Sequence, residues 1–395
     1  MNVATSSLFS QLLSLVDRNR FAKLVRETGS EQRSKGFASW DHFIAMLFCQ
    51  LAQAKSLREI DGGLSSCEGK LKHLGMTGAP GRSTLSYANA HRCADLFEKL
   101  FYQVLGNVSL HAPGKKFRFN SKLYSLDSTV IELCASMFDW AKFRATKGAA
   151  KLHMLLDHDG HLPCYAMITE GKVADVTIAQ QLKLPKGSLV VMDRGYYDYR
   201  LFARWTAEGV GFVTRLKKNA LWASHQQRPV KPGGKVRRDT EGRFFDFDAS
   251  RRIETKFRRV TVWIEEKGEE MELLTNRFDL SAETIAEIYR QRWQIELFFK
   301  AIKQNLRIKT FVGTSGNAVR IQIWTALIAM LLLKLLQFRS RINWSLSNLV
   351  ALLRWNLFTH KNLWKWIDDP FLPPPELPPG TLVQAVLDGM GPLRV

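Results

Sequence analysis

The segment Ile285–Leu306 (IAEIYRQRWQIELFFKAIKQNL) constrains this chain most, because helical spacing sorts its side chains into two stripes. Tyr289, Arg292, Glu296 and Lys303 fall within an arc of about 60° on a helical projection. An apolar stripe lies roughly 80–90° away. It consists of Ile288, Ile295, Phe298, Phe299, Ile302 and Leu306. The pattern predicts one helix, anchored in a core, whose polar stripe faces a cleft; solvated charges on an ordinary amphipathic helix are the alternative.

Two acidic motifs upstream favour the cleft. Asp127 stands inside the β-rich run KLYSLDSTVIEL, and Asp193 ends the apolar run SLVVMD and precedes Arg-Gly. A carboxylate at the end of a buried strand is a poor core residue, whereas its hard oxygen atoms suit a metal ion. We therefore predict that Asp127, Asp193 and Glu296 share one site.

The helical stripe resembles the signature of the DDE transposases of bacterial insertion sequences, specifically the insertion-sequence-4 family. That signature is Tyr, two residues, Arg, three residues, Glu, six residues, Lys. Tyr289, Arg292, Glu296 and Lys303 match it without departure. The resemblance extends over residues 8–350, because Asp-Ser-Thr and Asp-Arg-Gly-Tyr upstream look like the family's first and second acidic motifs.

The resemblance implies a catalytic and metal-binding role for Asp127, Asp193 and Glu296. Together they would hold two Mg²⁺ ions, for which Mn²⁺ can substitute, and Asp127 would bridge both ions. Such a pair activates the nucleophile on one side of a phosphodiester and stabilises the leaving oxygen on the other.

The resemblance also implies DNA contacts around this triad. Tyr289, Arg292 and Lys303 would grip phosphates beside the cleavage point, where arginine suits bidentate contact and lysine point-charge contact. Trp293 projects beside the stripe, so it either stacks on DNA or lies in the core. A flipped base could instead stack on Trp222 or Trp263.

The order of the remaining patterns predicts a mixed α/β protein. A strand at Leu123–Leu133 is followed by a hairpin around His158–Gly160, where the turn residues are strong signals. Strands and helices then alternate up to Leu216. The family resemblance implies a ribonuclease-H-like core, with the first acid on the first strand, the second beside the fourth strand, and Glu296 on a helix after the fifth.

Three domains are predicted along the chain. Residues 1–115 form a helical DNA-end-binding domain, in which a helix capped by Ser83 belongs to a helix-turn-helix or a plain helical bundle. Residues 116–355 form the catalytic domain, with a β-rich insertion at about 220–275. Residues 356–395 form a C-terminal tail that contains a proline-rich stretch.

Charge points to a polyanionic partner. The 57 Lys and Arg residues exceed the 37 Asp and Glu residues, which gives a net charge of +20 and a pI near 9.8. The segment from Arg215 to Arg259 contains fourteen basic and five acidic residues, together with several aromatic residues. This composition indicates either a DNA-facing platform or a solvated surface. The predicted partners are the terminal inverted repeats of an element and target DNA, bound by a homodimer in a synaptic complex.

Cysteine usage and hydropathy indicate a cytoplasmic protein that does not bind a membrane. We expect it to act at the bacterial nucleoid. The five cysteines show no CxxC spacing, as expected in a reducing compartment. The thirteen-residue uncharged run Ile321–Leu333 is shorter than a membrane span and predicts a buried helix. His153, His158 and His161 are predicted to be turn and surface residues.

The predicted function is cut-and-paste DNA transposition: metal-dependent cleavage at the ends of an insertion sequence, then strand transfer into target DNA. A non-catalytic DNA-binding repressor is the first alternative, which the intact acidic triad disfavours. A domesticated nuclease of the same fold, cutting without strand transfer, is the second.

Overall fold

The computed structural model describes residues 6–371, except positions 33, 35 and 68 and the segments 115–120, 134–141, 144–146, 218–219 and 245–254. Cys134 and the tail from residue 372 onward lie outside the described residues. The four described cysteines are free.

Helices make up the N-terminal part of the described chain, as the sequence predicts. Ser7, Asp17 and Ser56 begin three of them by accepting hydrogen bonds from first-turn N–H groups. The helices are α1 Leu8–Leu13, α2 Arg18–Thr28, α3 Ser39–Leu51, α4 Leu57–Ser65, α5 Leu71–Leu74, α6 Arg82–His91 and α7 Asp95–Ser109. The predicted cap at Ser83 is wrong: α6 begins after Gly81, and Ser83 lies inside its first turn.

One mixed sheet forms the centre of the described chain. Its strands are β1 Leu123–Leu133, β2 Lys142–Phe143, β3 Lys147–Asp157, β4 Leu162–Glu170, β5 Leu189–Met192, β6 Gly211–Arg215, β7 Trp222–Gln227, β8 Val236–Phe244, β9 Phe257–Ile264 and β10 Glu269–Thr275. The order is β2-β3-β1-β5-β6-β10-β9-β8-β7, and β4 also pairs with β3. Strand β1 runs antiparallel to β3 and parallel to β5, which runs parallel to β6. Helices α8 Asp175–Gln181 and α9 Tyr199–Ala207 connect these strands.

The predicted β-rich insertion extends this same sheet, because β10 pairs antiparallel with β6. A buried ion pair ties its strands together: Arg258 Nε and Nη2 donate to the two Asp239 oxygens at 2.9 and 2.7 Å. Phe244 and Phe257 are buried in the core. These two aromatic residues therefore do not belong to a DNA-facing platform.

The C-terminal helices complete the fold. They are α10 Ala282–Gln291, α11 Trp293–Asn305, α12 Gly316–Arg339, α13 Leu346–Asn356 and α14 Leu363–Asp368. Leu363, Trp366 and Ile367 are buried, so this stretch of the predicted tail is packed.

Helix α12 is the central helix of the core. By length and composition it could cross a membrane, but 89% of its most apolar window is buried inside the protein, as predicted for the Ile321–Leu333 run. It packs against α3 and α7, and the helices of both chain ends share one hydrophobic cluster. Within the N-terminal part, buried His42 Nε2 and Asn89 Oδ1 lie 2.8 Å apart and connect α3 to α6.

The predicted single helix of Ile285–Leu306 is divided at Arg292. Ser281 begins α10 by accepting a hydrogen bond from Thr284 N, as the sequence predicts. Arg292 keeps right-handed helical torsion angles, yet the backbone there forms i to i+3 bonds, Arg292 N to Tyr289 O at 3.1 Å and Ile295 N to Arg292 O at 3.3 Å. These tighter bonds interrupt the α-helical pattern.

Candidate active site

Asp127 lies on β1 with only 17% of its side chain exposed. Burial raises the pKa of this carboxyl to about 7, and the negative charges of Asp193 and Glu296 add to the rise. The backbone N–H of Ser128 and the guanidinium of Arg292 act in the opposite direction. Asp193 and Glu296 are therefore close enough to Asp127 to raise its proton affinity, as expected for carboxylates that share a site.

Arg292 stands between two of these acids. Its Nη1 lies 3.5 Å from Asp127 Oδ2, and its Nη2 lies 2.5 Å from Glu296 Oε1. Glu296 follows Arg292 by four residues, a spacing that brings two side chains together on a helix. Beneath the guanidinium, the ring centroid of Tyr289 is 5.8 Å from Arg292 Cζ. The break between α10 and α11 thus places a cation where it neutralises both acids.

Asp193 directly follows β5 and begins a short 3-10 turn, Arg194–Tyr196. Its Oδ1 accepts a hydrogen bond from Gly195 N at 2.7 Å, and its backbone carbonyl accepts one from Thr214 Oγ1 at 3.0 Å. A Cβ at position 195 would lie 2.9 Å from Asp193 Oδ1, which is too close for ordinary contact. Glycine at 195 therefore allows the turn to hold this carboxylate.

A cleft of about 450 Å³ opens beside Asp127 and Glu296. It is lined by Asp127, Ser128, Thr129, Glu296, Phe299, Lys300, Lys303, Gln304 and Lys309. Lys303 Nζ donates to the carbonyl of Val130 on β1 at 2.9 Å. Burial lowers the pKa of Lys303, and the nearby charge of Lys309 lowers it further. The cleft therefore joins an acidic end to a lysine-rich end.

Lys300 and Lys309 line this cleft but are not among the residues predicted from the sequence. Lys300 follows Glu296 by four residues, so helical spacing could have found it. Lys309 lies beyond the end of α11, where no periodicity applies.

The exposure of two residues, Tyr289 and Trp293, decides between roles that the sequence suggested for them. Tyr289 is 7% exposed and packs in an apolar cluster with Ile285 and Ile288, so in this conformation it is not free to grip a phosphate. Trp293 is 54% exposed, which excludes the core position. Trp222 and Trp263 are partly buried, each beneath an arginine side chain.

The donor set fits a divalent cation by chemistry, since carboxylate oxygens are its preferred ligands. The arrangement differs from a closed metal site, because Arg292 lies between Asp127 and Glu296. Within the described part of the chain, no three His, Cys, Asp or Glu side chains form a group that could hold a metal ion. For a divalent cation to bind Asp127 and Glu296, the guanidinium of Arg292 would have to move away from both carboxylates.

The prediction that His153 and His158 are surface residues is wrong. His153 on β3 is fully buried, and His158, which does lie in the predicted turn after β3, is 3% exposed. Burial lowers the pKa of His153 to about 4 and that of His158 to about 3. His158 Nε2 lies 2.7 Å from Ser125 Oγ on β1, so it has a structural contact beside the hairpin.

Comparison with known families identifies the class of protein. The family described as "Transposase DDE domain" matches residues 119–332, and "Domain of unknown function (DUF4372)" matches residues 4–77. Because the first match covers more than half of the chain, the chain belongs to the transposase DDE domain family. It is therefore an enzyme of DNA transposition that cleaves and transfers DNA strands, and the family uses divalent metal ions and binds DNA.

Similar proteins carry transposase names. The Sinorhizobium fredii protein named as transposase y4zB is 31% identical, over 72% of this chain and 80% of its own length. The transposase of insertion sequence element IS5377 from Geobacillus stearothermophilus is 31% identical, over 64% and 67%, and that of IS4SA from Synechocystis is 28% identical, over 70% and 78%. A piggyBac transposase synaptic complex with hairpin DNA shows 10% identity and a TM-score of 0.41, over 92% of this chain and 81% of that one.

Proposed function

We propose that this chain is a cut-and-paste transposase of the insertion-sequence-4 family, with Asp127, Asp193 and Glu296 as its catalytic acids. The observation that carries the proposal is the contact of Arg292 with both Asp127 and Glu296. Through this contact Asp127 and Glu296, which are far apart in the sequence, lie next to the same guanidinium.

The proposed core is ribonuclease-H-like. The strand order β4-β3-β1-β5-β6 supports it, with antiparallel pairing at the first two junctions and parallel pairing at the last two. Asp127 lies on the first of these strands along the chain, Asp193 directly after the fourth, and Glu296 on a helix after the fifth. This is the placement that the family resemblance implies.

The proposed cofactor is a pair of Mg²⁺ ions held by Asp127, Asp193 and Glu296, which Mn²⁺ can replace. When bound, such ions supply an activated nucleophile and stabilise the leaving oxygen. Asp127 would be a central ligand of this set, since the charges of both other acids act on it. Arg292 would leave the acids and bind the phosphate beside the cut, with Tyr289 supporting its guanidinium from below.

The lysine-rich end of the cleft would hold the DNA backbone. Lys303 reaches the cleft from α11, and Lys300 and Lys309 line the same wall. Trp293 is exposed beside Arg292, where its ring could stack on a base exposed at the cut. In the first step water attacks the phosphorus at the element boundary, which leaves a 5′-phosphate on one side of the nick and releases a 3′-hydroxyl on the other. That hydroxyl then attacks a target phosphodiester, forms a new P–O bond to the target's 5′ side and releases the target's own 3′-hydroxyl.

The proposal is tested with linear DNA that carries the element's own terminal repeats. With Mg²⁺ we expect nicks at the element boundary and products in which the released 3′ end is joined to a second DNA. Boundary nicks without joined product would favour the nuclease alternative. Specific binding without nicks, in Mg²⁺ or Mn²⁺, would favour the repressor.

We further propose the predicted domain roles: end recognition by residues 1–115, catalysis by residues 116–355, and a tail at 356–395 whose first part packs on the core. In this proposal α6 enters a DNA groove. Arg82, Ser83, Thr84, Ser86 and Tyr87 form an exposed face of α6. The active form would be a homodimer in a synaptic complex, acting on DNA in the cytoplasm.

Replacing Tyr87 with alanine should weaken binding to the terminal repeat by about tenfold, and binding to a scrambled duplex much less. Tyr87 is 68% exposed and stacks on His91 with ring centroids 4.1 Å apart, so it offers a rigid contact. Arg20→Ala, on the exposed surface of α2, is the matched control and should change both affinities equally. The full chain is used because the N-terminal helices share their core with α12. Equal losses for both duplexes with Tyr87→Ala would contradict the role of α6.

A further inference from the structure

Asp175, the first residue of α8, is a carboxylate that gathers donors from two strands of the sheet. Its Oδ1 accepts hydrogen bonds from Ser128 Oγ at 2.6 Å and from Lys151 Nζ at 3.3 Å. His153 Nδ1 lies 3.4 Å from the same oxygen. The side chain is 25% exposed, and those of Lys151 and His153 are 12% and 0% exposed. Such an enclosed set of polar groups fixes its members strongly.

Ser128 connects this cluster to the first catalytic acid. Its backbone N–H donates to Asp127 Oδ1 at 2.8 Å, while its hydroxyl donates to Asp175. Ser128 also pairs directly with His153 in the register of β1 and β3. Asp175 therefore holds the residue whose backbone orients the Asp127 carboxylate.

The second oxygen of Asp175 lies near Gly195, in the turn that holds the second catalytic acid. A Cβ built on Gly195 would lie 3.7 Å from Asp175 Oδ2 and 2.9 Å from Asp193 Oδ1. The N–H of Gly195 is the group that holds Asp193 Oδ1. Helix α8 packs against this turn, so Asp175 borders the supports of both acids.

We propose that Asp175 is a positioning residue, which keeps Asp127 and Asp193 at a fixed separation through Ser128 and the turn at Gly195. This rests on the proposed function, in which these two acids bind divalent ions. Groups that orient metal ligands commonly change metal affinity by about 10–100-fold when they are removed. Loss of the Asp175 charge also leaves Lys151 without this partner, so the cluster would rearrange.

The test measures Mn²⁺ binding to the full-length protein, by the paramagnetic resonance signal of free Mn²⁺. Asp175→Asn should raise the dissociation constant by about tenfold, and Asp175→Glu should restore part of the affinity. Asp157→Asn is the matched control. Asp157 is a 13%-exposed carboxylate of β3 that pairs with Lys122 at 2.7 Å, and its replacement should leave Mn²⁺ binding unchanged. A gel shift without divalent ions should show wild-type DNA binding for all these variants.

Asp127→Asn distinguishes failure of the proposed metal site from failure of the positioning role of Asp175. If Asp127→Asn binds Mn²⁺ like the wild type, the proposed site itself is wrong. If Asp127→Asn loses Mn²⁺ while Asp175→Asn binds normally, the positioning role alone is overturned.

Ser128→Ala keeps the test decisive if Asp175→Asn does not fold. It removes one hydroxyl and retains the backbone N–H, and it should weaken Mn²⁺ binding by about threefold. Wild-type affinity in Ser128→Ala would overturn the route from Asp175 through Ser128.

Discussion

Replacing any one of the three acids, as Asp127→Asn, Asp193→Asn or Glu296→Gln, should reduce nicking at the element end by at least about a thousandfold. Each substitution keeps the size of the side chain and removes a negatively charged oxygen ligand. The loss corresponds to about 4 kcal/mol of transition-state stabilisation, which is within what metal ions supply in phosphodiester cleavage. A nicking assay with Mg²⁺, run beside a gel shift, measures both cleavage and binding.

The gel shift should be unchanged, because the proposed end-binding surface lies on α6 and not beside the acids. Glu170→Gln is the control for loss of a carboxylate. Glu170 ends β4 on the same sheet, with a 52%-exposed side chain that pairs with Lys172 at 2.7 Å, and its replacement should leave nicking intact. Normal nicking by any of the three site variants would remove that residue from the catalytic site.

Arg292→Ala and Lys303→Ala should slow the steps after the first nick more than the nick itself. Arg292 contacts Glu296, and Lys303 lines the cleft that Glu296 also lines. Both groups are cations that cannot bind a divalent ion, so the phosphate next to the cut is their natural partner. After nicking, the free 3′ end must stay in line with the next phosphodiester. A displacement of about 1 Å can cost on the order of a hundredfold in rate. Pre-nicked DNA isolates this step, and we expect a loss of that size.

Arg290→Ala is the matched control for this prediction. Arg290 lies on α10, two residues before Arg292, but its side chain is 74% exposed and pairs with Glu287. It should process pre-nicked DNA at the wild-type rate. Arg292→Lys keeps the charge but loses the forked donor, so it should recover only part of the activity. A positioning role would be rejected if Arg292→Ala failed on intact DNA only.

Local chemistry explains which parts of the fold were predictable from sequence. The strand predicted at Leu123–Leu133 is confirmed as β1, because the run is rich in β-branched and aromatic residues that favour a strand. The hairpin of β3 and β4 and the Ser281 cap are confirmed for similar reasons. The cap at Ser83 was wrong because Gly81 also tolerates a cap geometry, and sequence alone does not choose between them.

Tertiary packing explains the rest. His153 is buried only because β3 lies in the interior of the sheet, between β1 and its other partners, which no local pattern encodes. The contacts of Asp175 cannot be predicted from the sequence for the same reason: its partners Ser128, Lys151 and His153 come from other elements. The helical stripe predicted which residues lie near Glu296, but the break at Arg292 and the burial of Tyr289 follow from packing against the sheet.

The N-terminal helices and the C-terminal helices share one hydrophobic core, so the N-terminal helices cannot be fully buried until the C-terminal helices have been synthesised. Helices α3 and α7 leave the ribosome early, yet the surface that covers them belongs to α12, which follows more than two hundred residues after α7. Glu296 also precedes α12, so all three proposed catalytic acids are synthesised before the N-terminal helices can be enclosed. A chain that stops before Gly316 would expose the apolar faces of α3 and α7 and invite aggregation. Early termination should therefore yield an unstable product, not a stable DNA-binding fragment that competes for the element ends.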